Sequence, residues 1–282
     1  MKIRFTKMQA YGNDYVYIDA INQELPKDLN ELARFVSNRH FGIGSDGMVL
    51  ICPSDKADFR MRMFNPDGTE AEMCGNATRS IGKYVYDHGL TNKTHFILET
   101  LGGPRTIDLT ITDGMVSNIR ANIGKPIFDP KLIPVNTDKK EFIMEDVKIL
   151  DKTFKMSSLS WGNPHTVIFV DNVMDFDVEK YGPAIECNTE VFPKKTNVTF
   201  AEIVNKDYIK IREWERGTGE TIGCGTGCST AVVFAYRLGL TNNKCTVEQI
   251  GGPLEIEYSD ELYMKGPSNF VFESEIDVSH IK

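Results

Sequence analysis

An α+β fold built twice over is what this 282-residue sequence predicts, on three observations. The first is a Cys-Gly stretch that occurs twice, as Met73-Cys74-Gly75-Asn76-Ala77-Thr78-Arg79-Ser80 and as Gly223-Cys224-Gly225-Thr226-Gly227-Cys228-Ser229-Thr230. The second is that the surroundings repeat too. Gly12-Asn13 and Gly162-Asn163 each precede their cysteine by 62 residues, and Gly89-Leu90-Thr91-Asn92 and Gly239-Leu240-Thr241-Asn242 each begin 15 residues after it. Gly102-Gly103-Pro104 answers Gly251-Gly252-Pro253 with one residue slipped. Landmarks that share an offset over so long a period, in only two copies, mean two similar domains rather than a solenoid. The third observation is the pattern inside each half: many short strands with one principal helix, without the strict strand-helix alternation of a doubly wound sheet.

In chain order, Ile3 to Met8 and Tyr15 to Asp19 are β-branched and aromatic runs on either side of a turn, Ala10-Tyr11-Gly12-Asn13-Asp14. Leu29, Leu32, Ala33 and Val36 recur at helical spacing behind Asp28, a candidate N-cap, with Gly42-Ile43-Gly44 as the stop. Asp46 to Cys52 reads as a strand, and Phe59, Met61 and Met63 alternate with Arg60, Arg62 and Phe64 ahead of the turn Asn65-Pro66-Asp67-Gly68. After Cys74, the residues Ala77, Ile81, Tyr84, Val85 and His88 share one helical face that Gly89 terminates. Strands follow at His95 to Thr100, Arg105 to Ile111 and Val116 to Asn122. Gly124-Lys125-Pro126 and Asp129-Pro130 then read as an interdomain linker, placing the domains at 1–123 and 124–266. The second half repeats the plan. Thr166 to Val170 is a strand, Val178 to Cys187 a helix interrupted at Gly182-Pro183, and Ile209, Ile211 and Glu213 alternate with Lys210, Arg212 and Trp214. Cys228, Ala231, Val232, Ala235 and Leu238 form the apolar face of the helix behind Cys224.

A net charge of −8 argues against nucleic acid or an anionic membrane surface as partner and points to small molecules. Charges interrupt the N-terminal stretch where a signal peptide needs an apolar run, and no stretch is long enough to span a bilayer, so the expected location is cytoplasmic. A chain of this size outside an oxidising compartment keeps its six cysteines as thiols. There is no Cys-x-x-Cys pair, and Cys224 and Cys228 have the spacing of ordinary helix neighbours, so no metal site is expected. Cys52, Cys187, Cys228 and Cys245 read as small buried hydrophobes.

The chemistry is expected at Cys74 and Cys224. A thiol at a helix N-terminus faces free backbone N–H groups and the positive end of the macrodipole, which predicts a pKa below the free value of about 8.5. The same N–H groups, from Gly75, Asn76, Gly225 and Thr226, make an anion site that a carboxylate can approach closely beside glycine. A carboxylate held by both helix starts would place its α-carbon between two thiols, one to remove the α-proton and one to deliver a proton to the other face. The paired helix ends would stabilise the developing charge, and no pyridoxal or other cofactor is needed. One Cys-Gly alone reads as a packing cysteine; two at equivalent positions point to catalysis.

Together, Met73-Cys74-Gly75-Asn76, the stretch Glu215-Arg216-Gly217-Thr218-Gly219-Glu220-Thr221 ahead of Cys224-Gly225-Thr226-Gly227, Gly12-Asn13-Asp14 and Gly162-Asn163-Pro164-His165 resemble the diaminopimelate epimerase family over essentially the whole chain. The resemblance implies two pseudo-symmetric domains, each a strongly curved mixed sheet wrapped around a central helix, with the active site in the cleft between them and residues 267–282 returning to the first domain. It implies cofactor-independent interconversion of LL- and meso-diaminopimelate, in lysine and peptidoglycan synthesis, with Cys74 and Cys224 as acid and base. Asn13, Gly47, Asn65, Gly75, Asn76, Asn163, Asn197, Glu215, Arg216, Gly225 and Thr226 fall at substrate-binding positions, and His165 and Glu215 at positions that tune the thiols. A homodimer is the expected assembly. Departures from the family pattern are Gly47, where a side-chain contact from glutamine is lost, Ala77 for a common glycine and Ser80 for a common cysteine. Three readings stand beside the diaminopimelate assignment: a racemase of the same chemistry acting on histidine, lanthionine or a proline-like amino acid, a dithiol redox protein, and a non-catalytic binder.

Overall fold

A computed structural model describes residues 1–281, and its chain contacts divide into two units, Met1–Asn122 joined by the segment from Lys265 onward, and Ile123–Met264. The fold is mixed α+β, dominated by sheet. In chain order the first unit contains β1 (Lys2–Ala10), β2 (Asn13–Asp19), α1 (Leu29–Ser37), β3 (Met48–Cys52), β4 (Phe59–Phe64), β5 (Glu70–Ala71), α2 (Gly75–Asp87), β6 (His95–Glu99), β7 (Arg105–Thr112) and β8 (Met115–Gly124). The second contains β9 (Glu145–Ile149), β10 (Lys152–Ser160), β11 (Pro164–Phe169), α3 (Val178–Glu186), β12 (Asn197–Asn205), β13 (Tyr208–Glu215), β14 (Gly219–Thr221), α4 (Gly225–Arg237), β15 (Lys244–Gln249), β16 (Gly252–Tyr258) and β17 (Leu262–Gly266). β18 (Asn269–Asp277) closes the chain and pairs antiparallel with β1.

The sequence repeat is a repeat of strand pairing. β1 is antiparallel to β2 as β10 is to β11, and β2 lies parallel to β3 as β11 does to β12. β3 pairs antiparallel with β4 as β12 with β13, and β4 parallel with β6 as β13 with β15. Even the registers agree at the offset of the repeat: Val16 opposes Met48 as Thr166 opposes Val198, and Met48 opposes Phe64 as Val198 opposes Trp214. β18 occupies the outer side of β1 as β9 occupies that of β10. Gly89 and Gly239 both stop their helices at a φ of +71°, a conformation that glycine adopts without the cost of a Cβ.

Each sheet is covered on both faces, which explains the near-continuous burial of β2, β3 and β12. In the first unit, Ile3, Phe5, Val16, Ile18, Met48, Leu50 and Phe64 pack against Leu32, Ala33 and Val36 of α1. The opposite phase of the strands, including Tyr15 and Tyr17, faces away from that core. In the second unit Met156, Ile168, Val198 and Phe200 pack with Val178, Tyr181 and Ile185 of α3.

The two principal helices differ from the amphipathic reading of their sequences. In α2 every residue from Gly75 to Val85 is buried, Arg79 and Lys83 among them, and in α4 every residue from Gly227 to Ala235. A helix enclosed on all sides needs small residues wherever strands come close; a Cβ on Gly82 would stand 3.0 Å from the side chains of Ile107 and Ile119. α1 ends at Ser37, ahead of the predicted glycine stop, with Asp28 accepting from the Glu31 N–H as its N-cap. α3 is not interrupted at Gly182-Pro183 but runs through both. Packing holds it: Gly182 lies against the Trp214 ring so closely that a Cβ would stand 2.6 Å from Cγ, and Trp214 Nε1 donates to Glu186 at 2.8 Å. Among the described residues no helix is long and apolar enough to cross a membrane. None of the six cysteines is in a disulfide; Cys228 and Cys245 are buried as expected, but Cys187 is exposed at the end of α3 and Cys52 half-buried at the end of β3.

Candidate active site

Cys74 is the N-cap of α2 and Cys224 the N-cap of α4, both in extended conformation and neither capping its helix by a side-chain hydrogen bond. Each carbonyl accepts the first helical bond, from Thr78 and from Cys228. The sulfur therefore stands beside the unsatisfied N–H groups of a first turn, because a residue at this position is held outside the helix by its own backbone.

Around Cys74, its Sγ lies 3.6 Å from Asn13 Oδ1, which also accepts from Asn76 Nδ2 at 3.3 Å. Asn13 in turn donates to Asp46 Oδ2 at 2.9 Å, and Asp46 is paired with Arg39 at 2.8 Å. Arg79, fully buried one turn into α2, donates to Asn76 Oδ1 at 2.5 Å and to the Gly75 carbonyl at 3.2 Å. Asn76 is thereby held from both sides. Ser80 bonds the Asn76 carbonyl and Ser268, so its hydroxyl serves packing.

Around Cys224, Sγ lies 3.4 Å from Thr226 Oγ1, and the Cys224 N–H donates to Gln249 Oε1 at 2.9 Å. Cys228, one turn on, bonds the same Gln249 oxygen. His165 and Glu213 face this thiol from β11 and β13. His165 is fully buried, its Nδ1 is 3.7 Å from Glu213 Oε1, and ligand atoms of His165, Glu213 and Cys224 all lie within 4.8 Å of one another. The other Glu213 oxygen accepts from Thr199 Oγ1 at 2.5 Å. Gly227 makes room for that carboxylate, since a Cβ there would stand 2.3 Å from Glu213 Oε2.

The expected depression of the thiol pKa values is overturned in direction. Burial pushes the Cys74 thiol up, and the opposing pull of the Ala77 and Asn76 N–H groups, Tyr15 and Arg79 does not overcome it. Cys224 is pushed well above its ordinary value by burial first and then by the Glu215 and Glu213 carboxylates, against the Thr226 hydroxyl and the Gly227 N–H. Withdrawal from water penalises a thiolate by more than a helix N-terminus recovers.

The remaining predicted positions fall on the same sheet ends. Asn197, nearly buried, donates to the Pro164 carbonyl at 2.8 Å and accepts from the Arg216 N–H at 2.9 Å, so it joins the strand of His165 to the turn bearing Arg216. Glu215 Oε1 accepts from Thr221 at 2.6 Å, while Arg216 Nη1 donates to the Lys194 carbonyl at 3.0 Å with its side chain exposed. Asn65 closes the β4–β5 turn by donating a hydrogen bond from Nδ2 to Thr69 Oγ1 at 3.0 Å, and Asn163 lies half-buried in the bend before β11. Gly47 departs from the reading as a lost side-chain contact. It is buried, its carbonyl accepts from Val16 and Ser45, and a Cβ would stand 2.3 Å from the Phe64 carbonyl oxygen, so the backbone here leaves no room for any side chain.

Sequence reasoning missed three contributors, Tyr15, Arg79 and Glu213. Tyr15 and His165 are equivalent under the repeat, as are Gly47 and Asn197, Asn65 and Glu215, and the same offset could have found Tyr15. For Glu213 the signal was its phase, since it stands among the apolar residues of an alternating strand where a solvated glutamate has no place.

Comparison with known proteins places the whole chain in one family. The model of the family described as diaminopimelate epimerase matches residues 5–128 and 157–271. A diaminopimelate epimerase of Acetivibrio thermocellus is 48% identical over 99% of this chain and all of its own length, and one of Methanococcus maripaludis is 47% identical over 98% of this chain and all of its own. Among solved structures, a phenazine biosynthesis protein of the PhzF family from Bacillus anthracis shares the fold with a TM-score of 0.72 at 19% identity, over 99% of this chain and 100% of that one. A hydroxyproline epimerase from Agrobacterium vitis shares it with a TM-score of 0.67 at 12% identity, over 98% and 93%. With both halves of the chain matched, relatives near half identity end to end, and equivalent cysteines at two helix starts, this isomerase belongs to the diaminopimelate epimerase family.

Proposed function

We propose that the protein interconverts LL- and meso-2,6-diaminopimelate without a cofactor, Cys74 and Cys224 acting on opposite faces of one α-carbon, and that it serves lysine and peptidoglycan synthesis. The observation that carries this reading is the pair of thiols at equivalent helix N-caps, each beside free N–H groups. One thiolate takes the α-proton as the other thiol gives its own to the opposite face; the charge left on the α-carbon spreads into the carboxylate, which the N–H groups of Gly75, Asn76, Gly225 and Thr226 receive. The surroundings divide the roles at rest. Two carboxylates oppose ionisation at Cys224, whereas Arg79 and Tyr15 favour it at Cys74, so Cys74 is the readier base and Cys224 the resting acid.

Arg216 is the candidate for the distal carboxylate, which a planar guanidinium binds through two donors, with Glu215 and the Asn13, Asn65, Asn163 and Asn197 amides left for the ammonium groups and the second amino-acid head. Gly47 contributes only backbone. The cytoplasm is the compartment this chemistry needs, since oxidation to a disulfide would remove both acid and base, and a homodimer is the assembly we infer.

The test is α-proton exchange in heavy water across diaminopimelate, lanthionine, histidine and proline, with stereochemistry followed by chiral chromatography. Exchange with inversion, fastest by orders of magnitude for diaminopimelate, is the expected result. Histidine or proline turning over as fast would keep the two-thiol chemistry and overturn the substrate; affinity without exchange would leave a binder.

A further inference from the structure

Beside Cys224, His165 and Glu213 leave hydrogen-bonding capacity unused. His165 is 0% and Glu213 2% exposed, yet neither ring nitrogen of His165 and not the Oε1 of Glu213 has a hydrogen-bond partner. Buried polar atoms almost always find partners because leaving them unpaired costs on the order of 1–3 kcal/mol each. Here three such atoms lie together, with the thiol of Cys224 as the group they share space with. Their chemistry is a donor set of imidazole nitrogen, carboxylate oxygen and sulfur.

We propose that His165, Glu213 and Cys224 form a binding site for a thiophilic divalent transition-metal ion such as Zn²⁺, which inhibits the enzyme by capturing the Cys224 sulfur. Mixed nitrogen, sulfur and oxygen donors select zinc or cobalt over magnesium or calcium, which prefer oxygen alone. An ion bound at about 2.0–2.3 Å from each ligand requires donors roughly 3.3–3.8 Å apart. The separation between His165 Nδ1 and Glu213 Oε1, 3.7 Å, already meets this, and a 4.8 Å limit on the whole set leaves side-chain rotations to close the rest.

The surroundings suit the role. Thr199 Oγ1 holds the second Glu213 oxygen at 2.5 Å, which aims Oε1 at the site as a partner behind a metal ligand does. Gly227 keeps the helix start clear of the carboxylate. Cys224 is the most exposed of the three at 7%, so an ion would arrive past the sulfur and carry water in its fourth position. On binding, the S–H bond breaks, its proton passes to buffer, and the sulfur lone pair forms the bond to the metal; no electron is transferred and no oxidant is needed. Inhibition, though not binding, rests on Cys224 being a catalytic acid.

The test adds Co²⁺ to the intact reduced protein and reads the thiolate-to-cobalt charge-transfer absorption, with Zn²⁺ affinity measured by competition against a chromophoric chelator. One ion per chain should bind with that band, Cys224→Ala should abolish it, Cys74→Ala should leave it in place, and Glu213→Gln and His165→Gln should each weaken affinity at least about tenfold. Far-ultraviolet circular dichroism identifies a variant that has lost its fold, and the remaining variant then decides. Absence of the band in the parent protein, affinity unchanged in a folded Glu213→Gln or His165→Gln, or a band that also disappears in Cys74→Ala overturns the site. Zinc that binds as described without slowing epimerisation, reversibly with chelator, would overturn the inhibition and the role of Cys224 while the site itself stands. Failure to bind zinc, with Cys224→Ala inactive, overturns the site alone.

Discussion

The two-thiol mechanism we propose requires a thiol to ionise at Cys74 or Cys224, and burial makes ionisation difficult at both. Cys74→Ala and Cys224→Ala are each expected to lower epimerisation by at least about 10²–10⁴-fold, the contribution of a positioned acid or base, with the circular dichroism spectrum unchanged. Substantial turnover in either variant would refute the two-base assignment. Stability carries the same signature. Both thiols have pKa values raised in the folded protein, while in the unfolded chain they ionise near 8.5. Their contribution is thus fully present below that pH and is lost as pH rises through the folded values. Denaturant midpoints should fall on going from about pH 7 to about pH 10, and by less in Cys224→Ala, whose group is the more strongly raised. Equal pH dependence in the variant would show that the Cys224 thiol is not raised on folding. At Arg216, replacement by lysine keeps the charge but not the two-donor fork, so kcat/KM for diaminopimelate should drop roughly 10- to 150-fold, the equivalent of about 1.5–3 kcal/mol, while that for a mono-amino acid is unaffected. An unchanged ranking of substrates would remove Arg216 from the distal carboxylate.

Among the elements, α2 and α4 deserve their burial to their neighbours rather than to their own periodicity, and α3 shows the same dependence more sharply. A helix with Gly182 and Pro183 in consecutive interior positions lacks intrinsic propensity, since the two residues cost about 1 and 3 kcal/mol relative to alanine. It persists because Tyr181 and Ile185 are buried and Trp214 covers Gly182. Gly182→Ala, which ordinarily strengthens a helix, should here destabilise by about 1–3 kcal/mol, because the added methyl meets the Trp214 ring. Urea denaturation followed by tryptophan fluorescence reads both the loss and the displaced ring; a gain in stability would mean that propensity outweighs packing in α3.

At the scale of the chain, β18 belongs to the first unit although it follows the second in sequence. It covers the outer edge of β1 in register from Lys2 with Asp277 to Gln9 with Asn269, interrupted by one bulge. An uncovered edge strand exposes a row of unpaired N–H and C=O groups that invites association. Truncation after Ser268 should therefore give a chain that aggregates or fails to fold, which size-exclusion chromatography beside the full-length chain reads directly. A monodisperse, active truncation would show that β1 does not need its partner.

The duplication, the fold class, the two thiols and most strand positions were legible in the residues, because a repeat places equivalent chemistry at equivalent offsets and because period-2 and period-3.6 patterns follow from local backbone geometry. Asn13, Asn76 and Thr226 were legible for the same reason, as they lie within the repeated motifs. What no local pattern could supply was the environment. The direction of the thiol pKa shifts depends on how much water the folded sheet removes and on the Glu213 and Glu215 carboxylates at Cys224, both carried by β13. The continuity of α3, the exposure of Cys187, the impossibility of a side chain at Gly47 and the gathering of His165, Glu213 and Cys224 are likewise set by contacts between residues distant in sequence. Periodicity records which way a side chain points from its own backbone; burial, charge and steric room are properties of what arrives opposite it.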